Sequence, residues 1–159
     1  MTDLFTSHLE WTGAFKGPTL DPGTFSRDLA LTVADMSLAM SSAPGFRGDP
    51  LRANPEQLFV AALSACHALT YLFLAAKNHV LVTGYSDDAE GRLALVDGKM
   101  RMWRVTLRPR ITLDAAQDEA QARALTAKAH DNCFIANSVS TAVDVVPTFA
   151  FADAPAAVR

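Results

Sequence analysis

Cysteine is scarce in this chain: two residues, Cys66 and Cys133, in 159. A small secreted domain held together by disulfides carries more. In a reducing setting two thiols are inert core residues, metal ligands or redox-active groups. Apolar runs of membrane-spanning length are also lacking. The longest stretch, Leu58 to Ala76, is interrupted by Ser64, His67 and Thr70, which predicts a buried helix and no membrane span. Positive charge is not in excess. The 14 Lys and Arg face 17 Asp and Glu, for a formal net charge of -3, so the basic face expected of a nucleic-acid-binding protein is missing. Met1 to Glu10 contains no basic segment leading into an apolar core, so no secretory signal is read there and a cytoplasmic location is expected. No Gly-x-Ser-x-Gly elbow and no glycine-rich phosphate loop occur, which argues against a serine hydrolase or a nucleotide-phosphate site.

What is present suits one α+β domain over residues 1–159, with ends at 1–5 and 152–159 expected to fray. Half of the residues are apolar. Leu9, Trp11 and Phe15 suggest a first strand, and Phe25 to Val33 a second, joined across the Gly17–Gly23 turn cluster as a hairpin with Arg27 on its inward face. Residues 41–53 read as a loop. Asn54 then caps, Pro55 takes the first helical position, and Gln57 stands three residues after the cap, so a long helix is expected from Glu56 to Lys77. It is apolar nearly all round, which predicts burial on more than one side. Strands are expected at 80–84 and 89–96, with Asp97-Gly98 as a hairpin turn. Trp103 to Leu113 reads as one half-buried strand with Pro109 at an edge or bulge. Asp114 and Gln117 suggest a cap for a second helix, 115–129. Val143 to Phe151 alternates as a last strand.

Cys66 lies within the long helix, in Ser64-Ala65-Cys66-His67, and Cys133 follows the second helix, in His130-Asp131-Asn132-Cys133. Each has a histidine close by. A zinc-binding structural protein using His130, Cys133 and Cys66 is one reading. Against it, adjacent helical residues point about 100° apart, so Cys66 and His67 do not readily share an ion. No metal site is therefore assigned.

Asn54-Pro55-Glu56-Gln57-Leu58-Phe59 with Ser64-Ala65-Cys66 resembles the signature of the OsmC/Ohr family, the osmotically inducible protein C-like hydroperoxide reductases, in which the reactive cysteine follows the motif's Glu by ten residues. Ala129 to Ser138 resembles the second signature, around the second cysteine. The order of elements is similar along essentially the whole chain. The resemblance implies a divergent branch: His67 stands where an aromatic residue commonly follows the first cysteine, and Phe134 where proline often follows the second.

That resemblance implies a cysteine-based organic hydroperoxide reductase, built as an intertwined homodimer with two sites at the interface. It has no bound cofactor and takes electrons from an external dithiol, lipoyl-type or other. Cys66 would be peroxidatic and Cys133 resolving. An arginine would stabilise the thiolate and peroxide. Arg47, in the loop before the long helix, is the first choice, ahead of Arg27, Arg52 and Lys16. Glu56 would orient that arginine; because ten residues of helix span about 15 Å, it would act across the dimer or by holding a loop, and the resemblance favours the first. Phe46, Phe59, Leu63, His67 and Phe134, with Met36 and Met40, are candidates to line an apolar substrate entrance. A non-catalytic protein of the same fold, binding a small apolar or thiol ligand at the interface, is the other alternative. Its mark would be cysteines too far apart or too buried to react.

Overall fold

The computed structural model describes residues 3–152, and the chain divides into two compact units, residues 1–58 and 59–159. In the first unit, β1 (His8–Trp11), β2 (Leu29–Val33) and β3 (Met36–Met40) form an antiparallel sheet in that order. Leu9 pairs with Leu31, and Leu31 with Leu38. The β2–β3 loop is two residues, with Val33 paired to Met36 and Ala34 at φ 50°.

Four expectations about this unit need correction. Phe15 lies in a 3-10 turn, Thr12–Lys16, and not in a strand. The second strand begins at Leu29, so Arg27 is outside it; its guanidinium donates to the carbonyls of Phe25 and Pro22 and stacks on the Phe25 ring. β3 was not expected at all. Its turn, Ala34-Asp35, contains none of the glycine or asparagine that marks tight hairpins. Met40 is buried at the end of β3, where it lines no entrance.

Ala53 returns beside Met40, its carbonyl accepting from the Ser41 amide. The chain then enters α1 (Pro55–Lys77) as expected. The Asn54 carboxamide accepts from the Gln57 amide at 2.9 Å and the Gln57 side chain accepts from the Asn54 amide at 3.1 Å, a reciprocal cap that satisfies two amides the first turn would otherwise orphan.

In the second unit three strands each bend once. β4 (Val82–Asp87) and β5 (Glu90–Val96) flank the corner at Asp88-Ala89. β6 (Lys99–Leu107) and β7 (Pro109–Leu113) flank Arg108, and β8 (Ala142–Val145) and β9 (Thr148–Phe151) flank Val146-Pro147. They pair as β5-β6-β8 on one side of the corner and β4-β7-β9 on the other. Asp97 and Gly98, both at positive φ, close the β5–β6 hairpin. So 103–113 and 143–151 are each two strands, not one. Alternation carries through the bends, with Val105, Leu107, Pro109, Ile111 and Leu113 all buried, and a period-2 pattern is blind to a corner that preserves its phase.

α2 (Glu119–Asp131) starts four residues later than Asp114 suggests, because Asp118 is its cap, accepting from the Ala120 amide at 2.8 Å. Asp114 caps a turn instead, and the Gln117 side chain accepts from the Leu81 amide.

Within this unit α1 buries a single stripe: Leu63, His67, Tyr71 and Ala75, spaced four apart as one helix face requires. Its C-terminal half packs with α2 and β4-β7-β9, through Tyr71, Ala75, Ile111, Leu113, Ala122, Leu125 and Ala129. Leu63 packs with Val105 and Leu107 on the other side of the corner. Burial on more than one side was expected; within this chain Ala61, Ala62, Ala65, Leu69, Leu72, Phe73 and Ala76 are exposed. By length and composition α1 would also pass for a membrane-crossing helix. Its Ser64, His67 and Tyr71 side chains instead hydrogen-bond to Asp87, Tyr85 and Ala122.

Candidate active site

Cys66 sits midway along α1, half-buried, and Cys133 lies in the loop after α2, buried to 1% exposure. The Cys133 side chain lies beside Cys66, close enough for each thiol to shift the other's proton affinity. The loop that brings it there is braced: the Cys133 amide donates to the His130 carbonyl, the Cys133 carbonyl accepts from the Asn137 amide, the Asn137 carboxamide donates to the Asp131 carbonyl, and the Ser138 hydroxyl to the Phe134 carbonyl.

The two thiols are electronically unlike. Burial alone pushes the Cys66 thiol up, but donors outweigh it and leave it below the ordinary 9.0. The largest is the Cys133 thiol, followed by the backbone amides of Ile135 and Phe134. These amides open a short turn, where helical geometry leaves N–H groups without an internal acceptor. Thr70 helps least, because its hydroxyl proton is given to the Cys66 carbonyl at 2.8 Å. No side-chain cation is among these donors. Cys133 moves the other way: burial and the neighbouring Cys66 thiol push it up to about 11. The proton of the pair therefore stays on Cys133 and the charge forms on Cys66, the arrangement a thiolate nucleophile needs.

Beside the pair opens a mainly apolar cleft of ≈ 330 Å³, lined by Leu69, Thr70, Phe73, Leu74, Asn132 and Phe134. Of the entrance residues expected from sequence, Phe134 lies there, 80% exposed. Leu63 and His67 do not line it, since both are core residues at 0% and 1% exposure. Phe59 packs against the Leu63 cluster. Phe46 and Met36 are exposed in the first unit. The residues missed, Leu69, Thr70 and Phe73, stand three, four and seven positions after Cys66, the periodicity of one helix face, so that signal was present.

The cationic candidates lie together in the first unit. Lys16, Arg27, Arg47 and Arg52 line a polar cleft there with Asp28 and Asp49. Lys16 pairs with Asp28 at 2.8 Å, and Arg52 with Asp49 at 3.3 Å and Asp28 at 3.8 Å. The Lys16 hydrogen bond holds the Asp28 carboxyl below its usual range. Arg27 is committed to backbone carbonyls. Arg47 is exposed, reaches over Gly23, and forms no ion pair among the described residues. Glu56, also in this unit, has one carboxylate oxygen buried without a hydrogen-bond partner.

Among the described residues no three His, Cys, Asp or Glu side chains converge as metal ligands, so the zinc reading lacks a ligand set within one chain. The mark of the non-catalytic reading, cysteines too far apart or too buried to react, is met in burial by Cys133, which is 1% exposed, and not by Cys66, which is half-buried.

A bent sheet crossed by a helix carrying one cysteine, with a second cysteine beside it after α2, defines the class: an α+β protein with two neighbouring thiols. The chain belongs to the OsmC-like family: the family described as OsmC-like protein matches residues 48–147. An OsmC-like protein of unknown function from Vibrio cholerae is similar at 30% identity and TM-score 0.84, over 92% of this chain and 100% of that one. The same fold is shared by an organic hydroperoxide resistance protein OsmC from Legionella pneumophila, at 24% identity and TM-score 0.68 over 94% of this chain and 99% of that one. It is shared too by the organic hydroperoxide resistance protein OhrB of Bacillus subtilis, at 20% and 0.60 over 92% and 99%. No curated protein matches the chain.

Proposed function

We propose that this protein is a thiol-dependent peroxidase that reduces organic hydroperoxides to alcohols. The observation that carries the reading is the neighbouring thiols, one lowered and one raised, next to an apolar cleft lined by residues that flank both. The Cys66 thiolate attacks the terminal peroxide oxygen. The O–O bond breaks, the leaving alkoxide takes a proton to become the alcohol, and Cys66 becomes a sulfenic acid. The Cys133 sulfur then attacks the sulfenic sulfur, forming the Cys66–Cys133 disulfide and releasing water. An external dithiol reduces that disulfide by exchange and is itself oxidised. The cleft side chains Leu69, Phe73 and Phe134 favour an alkyl or aryl peroxide over hydrogen peroxide, by burying its apolar group.

Arg47 is assigned to the thiolate and peroxide, and Glu56 to orienting it. The absence of a cationic donor to Cys66 and the unpartnered Glu56 oxygen both suit an arginine delivered by a second copy. A homodimer closing over the exposed apolar face of α1 supplies that copy. Two free thiols suit a reducing compartment, here taken to be the cytoplasm.

The reading is tested by consumption of cumene hydroperoxide with dihydrolipoamide as reductant. Turnover is expected in the wild type and abolished in Cys66→Ser. Arg47→Ala is expected to lower the rate by about 10²-fold or more, in line with removal of a charge-stabilising donor. Full turnover in Cys66→Ser would remove the proposal.

A further inference from the structure

His67 is not explained by the two-cysteine cycle. It follows Cys66 directly, is 1% exposed, and belongs to the buried stripe of α1. Its Nε2 lies 3.4 Å from the Thr126 carbonyl on α2, and its Nδ1 3.2 Å from the Tyr85 hydroxyl on β4. A carbonyl only accepts, so Nε2 carries the proton; Nδ1 is then bare and accepts from Tyr85. The ring is thus a neutral link between three elements. Thr126 lies seven residues before Cys133, on the helix that delivers the loop bearing it.

We propose that His67 is a positioning residue whose neutral imidazole ties α2 to α1 and β4, and thereby holds Cys133 in register with Cys66. The inference rests on the two-cysteine reading above and adds to it what maintains the pair. Adjacent residues of α1 divide the work: Cys66 meets the sulfur after α2, and His67 fastens the helix that presents it. Protonation would convert Nδ1 from acceptor to donor, so the Tyr85 hydroxyl would have to switch from donor to acceptor and a charge would be left in a buried site. Burial pushes the His67 pKa below the ordinary 6.5; the Thr126 carbonyl and the Asp87 carboxylate oppose this, and His130 adds to it. These are the groups facing the ring: Tyr85 and Asp87 from β4, Thr126 and His130 from α2. Asp87 is itself held by the Ser64 hydroxyl and the Arg108 amide, each at 2.6 Å. The folded state therefore prefers the neutral ring. The stability contributed by the neutral ring is present above pH 6.5 and is lost as pH falls through the lowered folded value, which loosens the link.

The experiment measures the effective concentration of Cys133 toward Cys66 from the disulfide equilibrium in glutathione buffers, in which oxidised glutathione takes two electrons and two protons from the two thiols. Wild type, His67→Gln, His67→Phe and Tyr85→Phe are compared at pH 5 to 8, with native folding checked by circular dichroism. His67→Phe is expected to lower the effective concentration by roughly tenfold or more, since small losses of alignment carry factors of that size. His67→Gln, which keeps an amide donor, should recover part of it, and Tyr85→Phe should fall between. Wild type should lose effective concentration below pH 6.5 and His67→Gln should not. If His67→Phe fails to fold, the Gln and Tyr85 variants decide. Equal effective concentrations in all four proteins, or an acid fall unchanged in His67→Gln, would overturn the inference. No peroxide enters this equilibrium, so peroxide inertness would count against the peroxidase reading and leave this one to its own result.

Discussion

At the scale of single residues, one sulfur differs from another by what donates to it. Cys66 is lowered by the neighbouring Cys133 thiol and two backbone amides, while Cys133 is buried and keeps its proton. Near neutral pH, iodoacetamide is therefore expected to label Cys66 well ahead of Cys133, whose thiol is pushed up to about 11. Cys133→Ala removes the largest donor to Cys66. The pH midpoint of Cys66 labelling should then rise, and Cys133→Ser, which restores a hydroxyl donor, should bring it part of the way back; rate against pH with mass detection reads both. Cys66 and Cys133 were visible in the sequence because they are the only thiols and because the Glu56 to Cys66 spacing matches a family motif. The amides of Phe134 and Ile135 were not visible, since backbone donors are set by loop conformation and leave no mark on residue identity. His67 was readable as polar within an apolar helix but not as a core link, because its partners Tyr85 and Thr126 lie 18 and 59 positions away.

At the scale of elements, caps and turns decide what the sequence reveals. The α1 start was legible from Asn54, Pro55 and Gln57, and the reciprocal hydrogen bonds are there. Asn54→Ala should cost about 1 kcal/mol of stability, measured by urea denaturation. The β2–β3 hairpin was illegible for the opposite reason. Ala34 occupies the first position of a two-residue loop at φ 50°, where glycine is favoured. Ala34→Gly is therefore expected to stabilise the protein by about 1 kcal/mol, the strain a left-handed non-glycine residue carries; an unchanged or lower denaturation midpoint would contradict this. For α2 the sequence pointed to Asp114, and the cap in the structure is Asp118, four residues on. The turn at Asp114 leaves the Gln117 side chain free to accept from the Leu81 amide, so tertiary contact, not propensity, settles where the helix begins.

At the scale of the whole molecule, the apolar girth of α1 exceeds what one chain covers. Leu69 is 71% and Phe73 65% exposed, and single chains rarely leave such surface in water. Association into a dimer of 17.1 kDa chains is expected by light scattering. Leu72→Glu, placed on that face away from the cleft, should give monomers and lower peroxide turnover together. A monomeric wild type would contradict the two-chain site. The central claim is a redox cycle run by two named sulfurs, and a single turnover tests it most directly. One equivalent of cumene hydroperoxide is added to the fully reduced protein without reductant, and the product is mapped by peptide mass spectrometry. The prediction is peroxide consumed one for one, both thiols lost, and a Cys66–Cys133 disulfide as the main product. Peroxide left intact with both thiols still free, or oxidation spread over methionines with the cysteines untouched, would contradict it.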